Sequence, residues 1–292
     1  VLASVLSACL VSALSAAERM PRAITVPDDV LQRNPYVEPV PDADYAHASP
    51  EAYAAFKKLK YGIRIHWGLY SFIPNSSASW YFLKLNDQQR QEYVEYYKQW
   101  NPTEFDAQEW MEFFKRCGFT NFAITTKHHE GFALWDTKTR VKRRPNWGAP
   151  GGPIIEDCDI AYSIMDTPSK RDIIRELCDA ARRHDIKINL YFSHSDWYDA
   201  DFRPFGQNPM QTVSAPEHKR LIERQGRPVW ITPDPTPEER VRMMARHREQ
   251  LRELLSNYGK IDMMCFDIQF NAELWPMMKA TMKEIRQIQP EV

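Results

Sequence analysis

Four short apolar runs punctuate this chain, and each stops abruptly at polar or aromatic side chains. Phe119 to Thr126 runs into Lys127-His128-His129-Glu130-Gly131. Tyr61 to Trp67 ends in His66-Trp67, Ile186 to Phe192 leads into His194 and Asp196-Trp197, and Ile261 to Asp267 ends in a carboxylate. Runs of this length, bounded by turn signals, predict buried strands. Helical patterns separate them. Asp106, with Glu109 three residues on, predicts a capped helix that carries Trp110, Phe113, Phe114 and Cys117 into the core and stops at Gly118. Ser169 with Asp172 repeats the capping pattern before the apolar stripe Ile173, Ile174, Leu177 and Ala181. Residues 51–60, 87–97, 238–258 and 273–288 complete the helices, and the many charges of 238–258 read as a solvated face. The stretches 137–168 and 197–237 read as long loops, the first rich in turn chemistry and placed to lie over a site.

Strand, loop and helix thus recur four times, which predicts parallel strands joined by right-handed crossovers. In an α/β barrel the C-terminal strand ends carry the chemistry, and here each delivers polar or aromatic groups to one rim. Four strands cannot close an eight-stranded barrel, and residues 290–292 stand where a fifth strand would begin. The expectation is a chain truncated at both ends.

Composition narrows the class. The 292 residues carry a net charge of −1, which gives no electrostatic case for nucleic acid. Nine tryptophans fit a site that stacks on sugar faces, although large cores use Trp as well. Residues 1–17 are apolar and small and end in Ser15-Ala16-Ala17, like part of a secretory signal peptide. Leu6-Ser7-Ala8-Cys9 also has the form of a lipobox, which would make Cys9 a lipid anchor. The segment is too short for a comfortable transmembrane span. The expected product is exported, periplasmic or extracellular. Residues 18–50 read as an irregular N-terminal segment and 51–292 as the catalytic region. Cys117, Cys158, Cys178 and Cys265 form no Cys-x-x-Cys pair; Cys117, Cys178 and Cys265 read as small core hydrophobes.

Asp267 is the sharpest chemical candidate. A carboxylate closing an apolar strand is costly unless it faces a polar pocket, and there it could attack a sugar anomeric carbon. Retaining glycosidases place two carboxyls about 5–5.5 Å apart, one attacking and one donating a proton. His66, His128 and His129 suit vicinal hydroxyls. Metal ligation is the competing use of histidine, but neighbours on a strand end point in opposite directions, so His128 and His129 are not expected to share one ion unless the backbone turns there. No metal and no cofactor are expected.

Together the motifs Tyr61 to Ser71, Trp80-Tyr81, Phe105-Asp106-Ala107-x-x-Trp110, Thr125 to Phe132, Lys170-Arg171-Asp172, Leu190 to Ser193 and Phe266-Asp267 resemble the α-L-fucosidases of glycoside hydrolase family 29, over about residues 50–292. The resemblance implies a (β/α)8 TIM-like barrel, of which this chain supplies about the first half. It also implies a glycan substrate, retention of configuration and a covalent fucosyl-enzyme intermediate. Asp267 falls on the family's nucleophile. His66, Trp80, His128, His129 and Tyr191 fall on its sugar-binding positions, and Trp67, Trp80 or Phe132 would wall the fucose methyl group. The general acid/base is expected beyond Val292, Glu273 being a poor candidate.

The chain departs from the family pattern in three places. Ser79 stands where a Glu usually precedes the Trp-Tyr pair, Cys265 where an aromatic usually lies two residues before the nucleophile, and Ile268 where a Gly often follows it. Loss of a carboxylate that accepts sugar hydroxyls removes contacts of about 1.5–3 kcal/mol each. Two alternatives therefore stand beside the fucosidase reading: a sugar-binding pseudoenzyme of the same fold, and a relative specific for another deoxy or L-sugar.

Overall fold

The computed structural model describes residues 42–203, 208–212, 230–267 and 274–292. Val1–Tyr45 is a unit of its own, and the fold is built by Ala46–Val292. The signal-like segment, Cys9, Ile268 and Glu273 lie outside the described residues.

A four-stranded parallel sheet organises the fold: β1 (Gly62–Ile65), β2 (Asn121–Lys127), β5 (Lys187–Ser193) and β8 (Met263–Asp267), in the order β1-β2-β5-β8. All three pairings are parallel, with Ile124 opposite Leu190, Tyr191 opposite Cys265 and Ser193 opposite Asp267. The central β2 is buried along nearly its whole length, which is why it reads as a continuous apolar run. The strands start and stop within a few residues of the expected limits.

The helices are α1 (Pro50–Lys58), α2 (Asp87–Val94), α3 (Ala107–Arg116), α4 (Ile173–Arg183), α5 (Pro237–Asn257) and α6 (Trp275–Ile288). Asp106 caps α3, its carboxylate accepting from the N–H groups of Gln108 and Glu109. The predicted stripe of α4 is wholly buried. No helix among the described residues is long and apolar enough to cross a membrane.

Several expectations are corrected. Asp172, not Ser169, caps α4, accepting from the Arg175 N–H. Phe113 and Cys117 are exposed, because α3 turns Ala107, Met111 and Phe114 inward and leaves Phe113 about 100° around the helix. Cys178 is buried as expected, and Cys265 is half-buried. The expected loop 137–168 contains an antiparallel hairpin, β3 (Val141–Asn146) and β4 (Ile154–Ile160). It shows no apolar alternation because its side chains are spent on ion pairs, Arg143 with Asp201, Arg144 with Glu156 and Lys142 with Asp159. The region 197–237 holds a short parallel pair, β6 (Met210–Thr212) and β7 (Trp230–Thr232). Finally, α5 is not solvated on all its polar positions: Glu239, Arg246, His247 and Gln250 are buried.

Candidate active site

The C-terminal ends of β1, β2, β5 and β8 meet at one place. β2 bulges between Thr125 and Lys127 and then stops. His128 to Gly131 form a turn closed by Gly131 N–H donating to the His128 carbonyl, with Gly131 at φ +89°. A Cβ at Gly131 would stand 2.2 Å from Asp196 Oδ1, so both conformation and space call for glycine. The backbone does turn here, the one condition under which the two histidines were expected not to diverge. They lie beyond the strand, where alternation no longer applies, and their ring centroids are 4.2 Å apart.

Around them the expected residues gather. His66 stands edge-on to His128 and to Tyr191, with centroids at 5.1 and 5.2 Å. Tyr191 lies parallel to His128 at 5.8 Å. Trp80 meets His129 at 4.6 Å. Asp267, closing β8, accepts the Tyr191 hydroxyl on Oδ2, and His129 Nε2 lies 3.3 Å from the same oxygen. Its side chain keeps 37% of its exposure, while His129 is fully buried. The carboxylate is therefore gripped from the protein side and open on another.

Trp67 and Phe132 sit apart from this group. Trp67 follows His66 and faces the other way, packing on Trp100, Phe105 and Trp110 at 5.1–5.3 Å. Phe132 is buried against Trp100 and Tyr162. Of the three candidates for an apolar wall, Trp80 is the one that lines the histidines.

Several of the contacts around this group were not foreseen in the sequence. Trp197 completes the aromatic side, 5.3 Å from His129 and 5.7 Å from Trp80; its place just after the β5 end was the available signal. Ser79 bonds through Oγ to His128 Nδ1, and Glu130 Oε2 lies 3.9 Å from that nitrogen, all three buried. Behind the strand ends, Asp196 binds both Lys127 Nζ at 3.1 Å and Arg246 Nη1 at 2.7 Å. His194 Nδ1 is 2.9 Å from His247 Nε2. Nothing in the charged pattern of α5 marked Arg246 or His247. At the Cys265 departure, Arg64 reaches its Sγ at 3.5 Å and lies over the Tyr191 ring.

Electrostatics follow from burial. Burial drives the His128 imidazole down to about 2, with His129 and His66 adding to the effect. His129 is also lowered by burial, against an opposing pull from Asp267. His66 is lowered by burial and by Arg64. All three are neutral at neutral pH. Burial raises the Tyr191 phenol, and Asp267 raises it further, so it stays a donor. Burial pushes Glu130 up to about 8. Burial also works against the Asp196 carboxylate, but Lys127 and Arg246 outweigh it and hold the group below the usual range. Asp267 thus accepts from the neutral Tyr191 phenol and has the neutral His129 imidazole beside it, while Lys127 and Arg246 are engaged by Asp196. Among the described residues no three His, Cys, Asp or Glu side chains are grouped to hold a metal ion.

The chain as a whole is similar to known proteins. The Alpha-L-fucosidase family model matches residues 30–292. The plasma alpha-L-fucosidase of Homo sapiens is 30% identical over 182 residues, 57% of this chain and 33% of that protein. A putative alpha-L-fucosidase of Caenorhabditis elegans is 31% identical over 163 residues, 51% of this chain and 30% of that protein. A family 29 alpha-L-fucosidase from Bacteroides thetaiotaomicron superposes with a TM-score of 0.59 at 25% identity, covering 85% of this chain and 48% of that one. Unliganded alpha-L-fucosidase AlfC from Lactobacillus casei gives 0.57 at 28% identity, over 82% and 67%. The matches thus span about a third of the two curated relatives and about half of the Bacteroides structure.

Proposed function

Because the chain belongs to the alpha-L-fucosidase family, we propose that it carries the nucleophile side of a retaining glycosidase that removes terminal α-L-fucose from glycans. Its parallel sheet and helices are part of a TIM-type α/β barrel, the chain covering about half of the Bacteroides structure. Asp267 attacks the anomeric carbon and forms a covalent glycosyl-enzyme. Water then releases the sugar with its configuration retained.

One observation carries this reading. Tyr191 and His129 both address Oδ2 of a half-exposed carboxylate at a strand end. Two fixed contacts on one oxygen set the plane of the group before substrate arrives. Both partners are neutral, so the carboxylate keeps its negative charge for attack and, later, for stabilising the developing oxocarbenium ion. His66, a neutral imidazole, has one donor and one acceptor for hydroxyls, and His128, whose Nδ1 is engaged by Ser79, has its Nε2. Trp80 supplies an indole face or edge for the sugar ring and its methyl group. The general acid/base is assigned outside the described residues. We also propose export, on the basis of the apolar segment 1–17, with lipidation at Cys9 as the form a membrane-bound product would take.

The test is hydrolysis of an aryl α-L-fucoside by the full-length protein that carries this chain, with the anomer of the first-formed sugar read by proton NMR. Release of the α anomer, abolished in Asp267→Asn, supports the reading. An inverted product, or activity that survives Asp267→Asn, overturns it. Binding of fucose without turnover by a folded protein identifies a pseudoenzyme. Turnover of another L- or deoxy-sugar in preference to fucose reassigns the specificity.

A further inference from the structure

Asp267 is held at its backbone as well as at its carboxylate. The His194 N–H donates to the Asp267 carbonyl at 3.0 Å, one step beyond the last register pair, Ser193 with Asp267. The His194 ring lies flat on Phe266, the residue before Asp267, with centroids 5.0 Å apart and 20° between the planes. Its Nδ1 meets Nε2 of His247, on α5, at 2.9 Å. His247 in turn stands edge-on to Phe192 at 5.1 Å. Both histidines are buried. Beside His247, Arg246 takes Asp196 at 2.7 Å. Two successive residues of one helix thus reach the segment that follows β5.

Ile188, Leu190 and Phe192 are buried at alternate positions of β5, and His194 is the next in that series. An apolar side chain there would be buried without desolvating a polar group. A bond between two imidazoles instead sets one N–H against one lone pair, so it fixes the direction of both rings as well as their distance. We propose that His194 and His247 are positioning residues for Asp267: the bonded pair fixes the end of β8 from the side of α5 and so holds the carboxylate at the Tyr191 hydroxyl and the His129 imidazole. Neither residue touches the reacting atoms. The catalytic consequence rests on the fucoside-hydrolase reading; the hold on the end of β8 does not.

Loosening the pair displaces the nucleophile and removes no sugar contact, since His66, His128 and Trp80 stand on other segments. The effect therefore falls on kcat, by up to about a hundredfold for a small misplacement of reacting groups, and little on KM. His247→Leu removes the ring bond from the helix side. His194→Phe removes it from the strand side while keeping an aromatic ring on Phe266. His247→Gln puts an amide nitrogen near the place of Nε2, and His247→Asn carries the same amide one methylene short of it.

The experiment measures two things on the full-length protein that carries this chain: steady-state kinetics on an aryl α-L-fucoside, and amide hydrogen exchange at the ends of β5 and β8. His247→Leu and His194→Phe are expected to speed exchange at those ends relative to β1 and β2, and to lower kcat tenfold or more with KM nearly unchanged, roughly the cost of a misplaced group. His247→Gln is expected to keep most of kcat and His247→Asn to lose it. Leu251→Ala, a buried position about one turn further along α5, is expected to lower the melting temperature without the loss of kcat. Unchanged kcat in folded His247→Leu, a loss confined to KM, or an equal loss of kcat in Leu251→Ala overturns the proposal. If His247→Leu does not fold, His247→Gln against His247→Asn decides it. A wild type that hydrolyses no α-L-fucoside rejects the functional reading alone; the hold on Asp267 is then judged by exchange, and unchanged protection of the β8 end in His247→Leu overturns it.

Discussion

Arg246 and Asp196 meet at 2.7 Å in the interior behind the strand ends, although 50 residues separate them in the chain. Lys127, immediately before the histidine pair and its turn, shares the same Asp196 oxygen. The pair therefore ties α5 to the segments that follow β2 and β5. Truncating one partner of a buried ion pair leaves an uncompensated charge and costs about 3–5 kcal/mol. Arg246→Ala is expected to lower the melting temperature sharply, and Asp196→Asn to do the same through two stranded cations. Thermal unfolding checks both. Little change in either variant would mean that the network is incidental.

The network also shows where sequence reading stops. Strands β2 and β5 were legible because burial on both faces makes them continuous apolar runs, and Asp267 because a carboxylate there is chemically conspicuous. Helix α5 was misread, since a charge buried against a distant partner looks in sequence like a charge facing water. The hairpin β3–β4 was missed for a related reason: Arg143 and Arg144 satisfy their charges across space, erasing the period-two signal. His128 and His129 stood out in the sequence, but their convergence depended on a turn that strand alternation does not encode. Trp67 next to Trp80 shows the same limit. Both are aromatic and near the motif residues, yet one packs in the core and the other on His129.

Tyr191→Phe tests how far the grip on Asp267 matters. The substitution removes one hydroxyl that donates to Oδ2 and leaves the ring in place. A hydrogen bond to a charged group is worth about 1.5–3 kcal/mol, so kcat on an aryl α-L-fucoside should fall roughly tenfold to a hundredfold. KM should change less, because the lost contact is to the enzyme's carboxylate and not to the sugar. A loss confined to KM would place the Tyr191 hydroxyl on the substrate instead.

Glu130 predicts a pH dependence of stability with a definite sign. Its pKa rises from the ordinary 4.5 to about 8 in the fold, because burial disfavours the charged form. Between those values the native state binds the proton that the unfolded state has released, so stability falls as pH rises. The contribution is fully present below the unfolded value and is lost as pH climbs to the folded one. Glu130→Gln removes the titration. Its melting temperature should therefore decline less than that of wild type over this window, with the gap widening toward alkaline pH. Parallel curves for the two proteins would show that Glu130 is ionised in the fold.

Gly131→Ala joins the backbone to the site in a single change. The position has φ +89°, a conformation that costs an L-residue about 1–2 kcal/mol, and the new Cβ would overlap Asp196 Oδ1. Asp196 cannot retreat without loosening Lys127 and Arg246, so the strain is shared between the turn and the ion pairs. A shift of the turn also moves His129, and with it one of the two contacts on Asp267. Stability and kcat should therefore fall together, whereas Gly118→Ala, at a similar φ of +81° but with no atom within 4 Å of the added Cβ, should lower stability alone. Melting curves and turnover measured on the two variants separate these outcomes, and unchanged kcat in folded Gly131→Ala would mean that the histidine turn is not what sets the nucleophile's geometry.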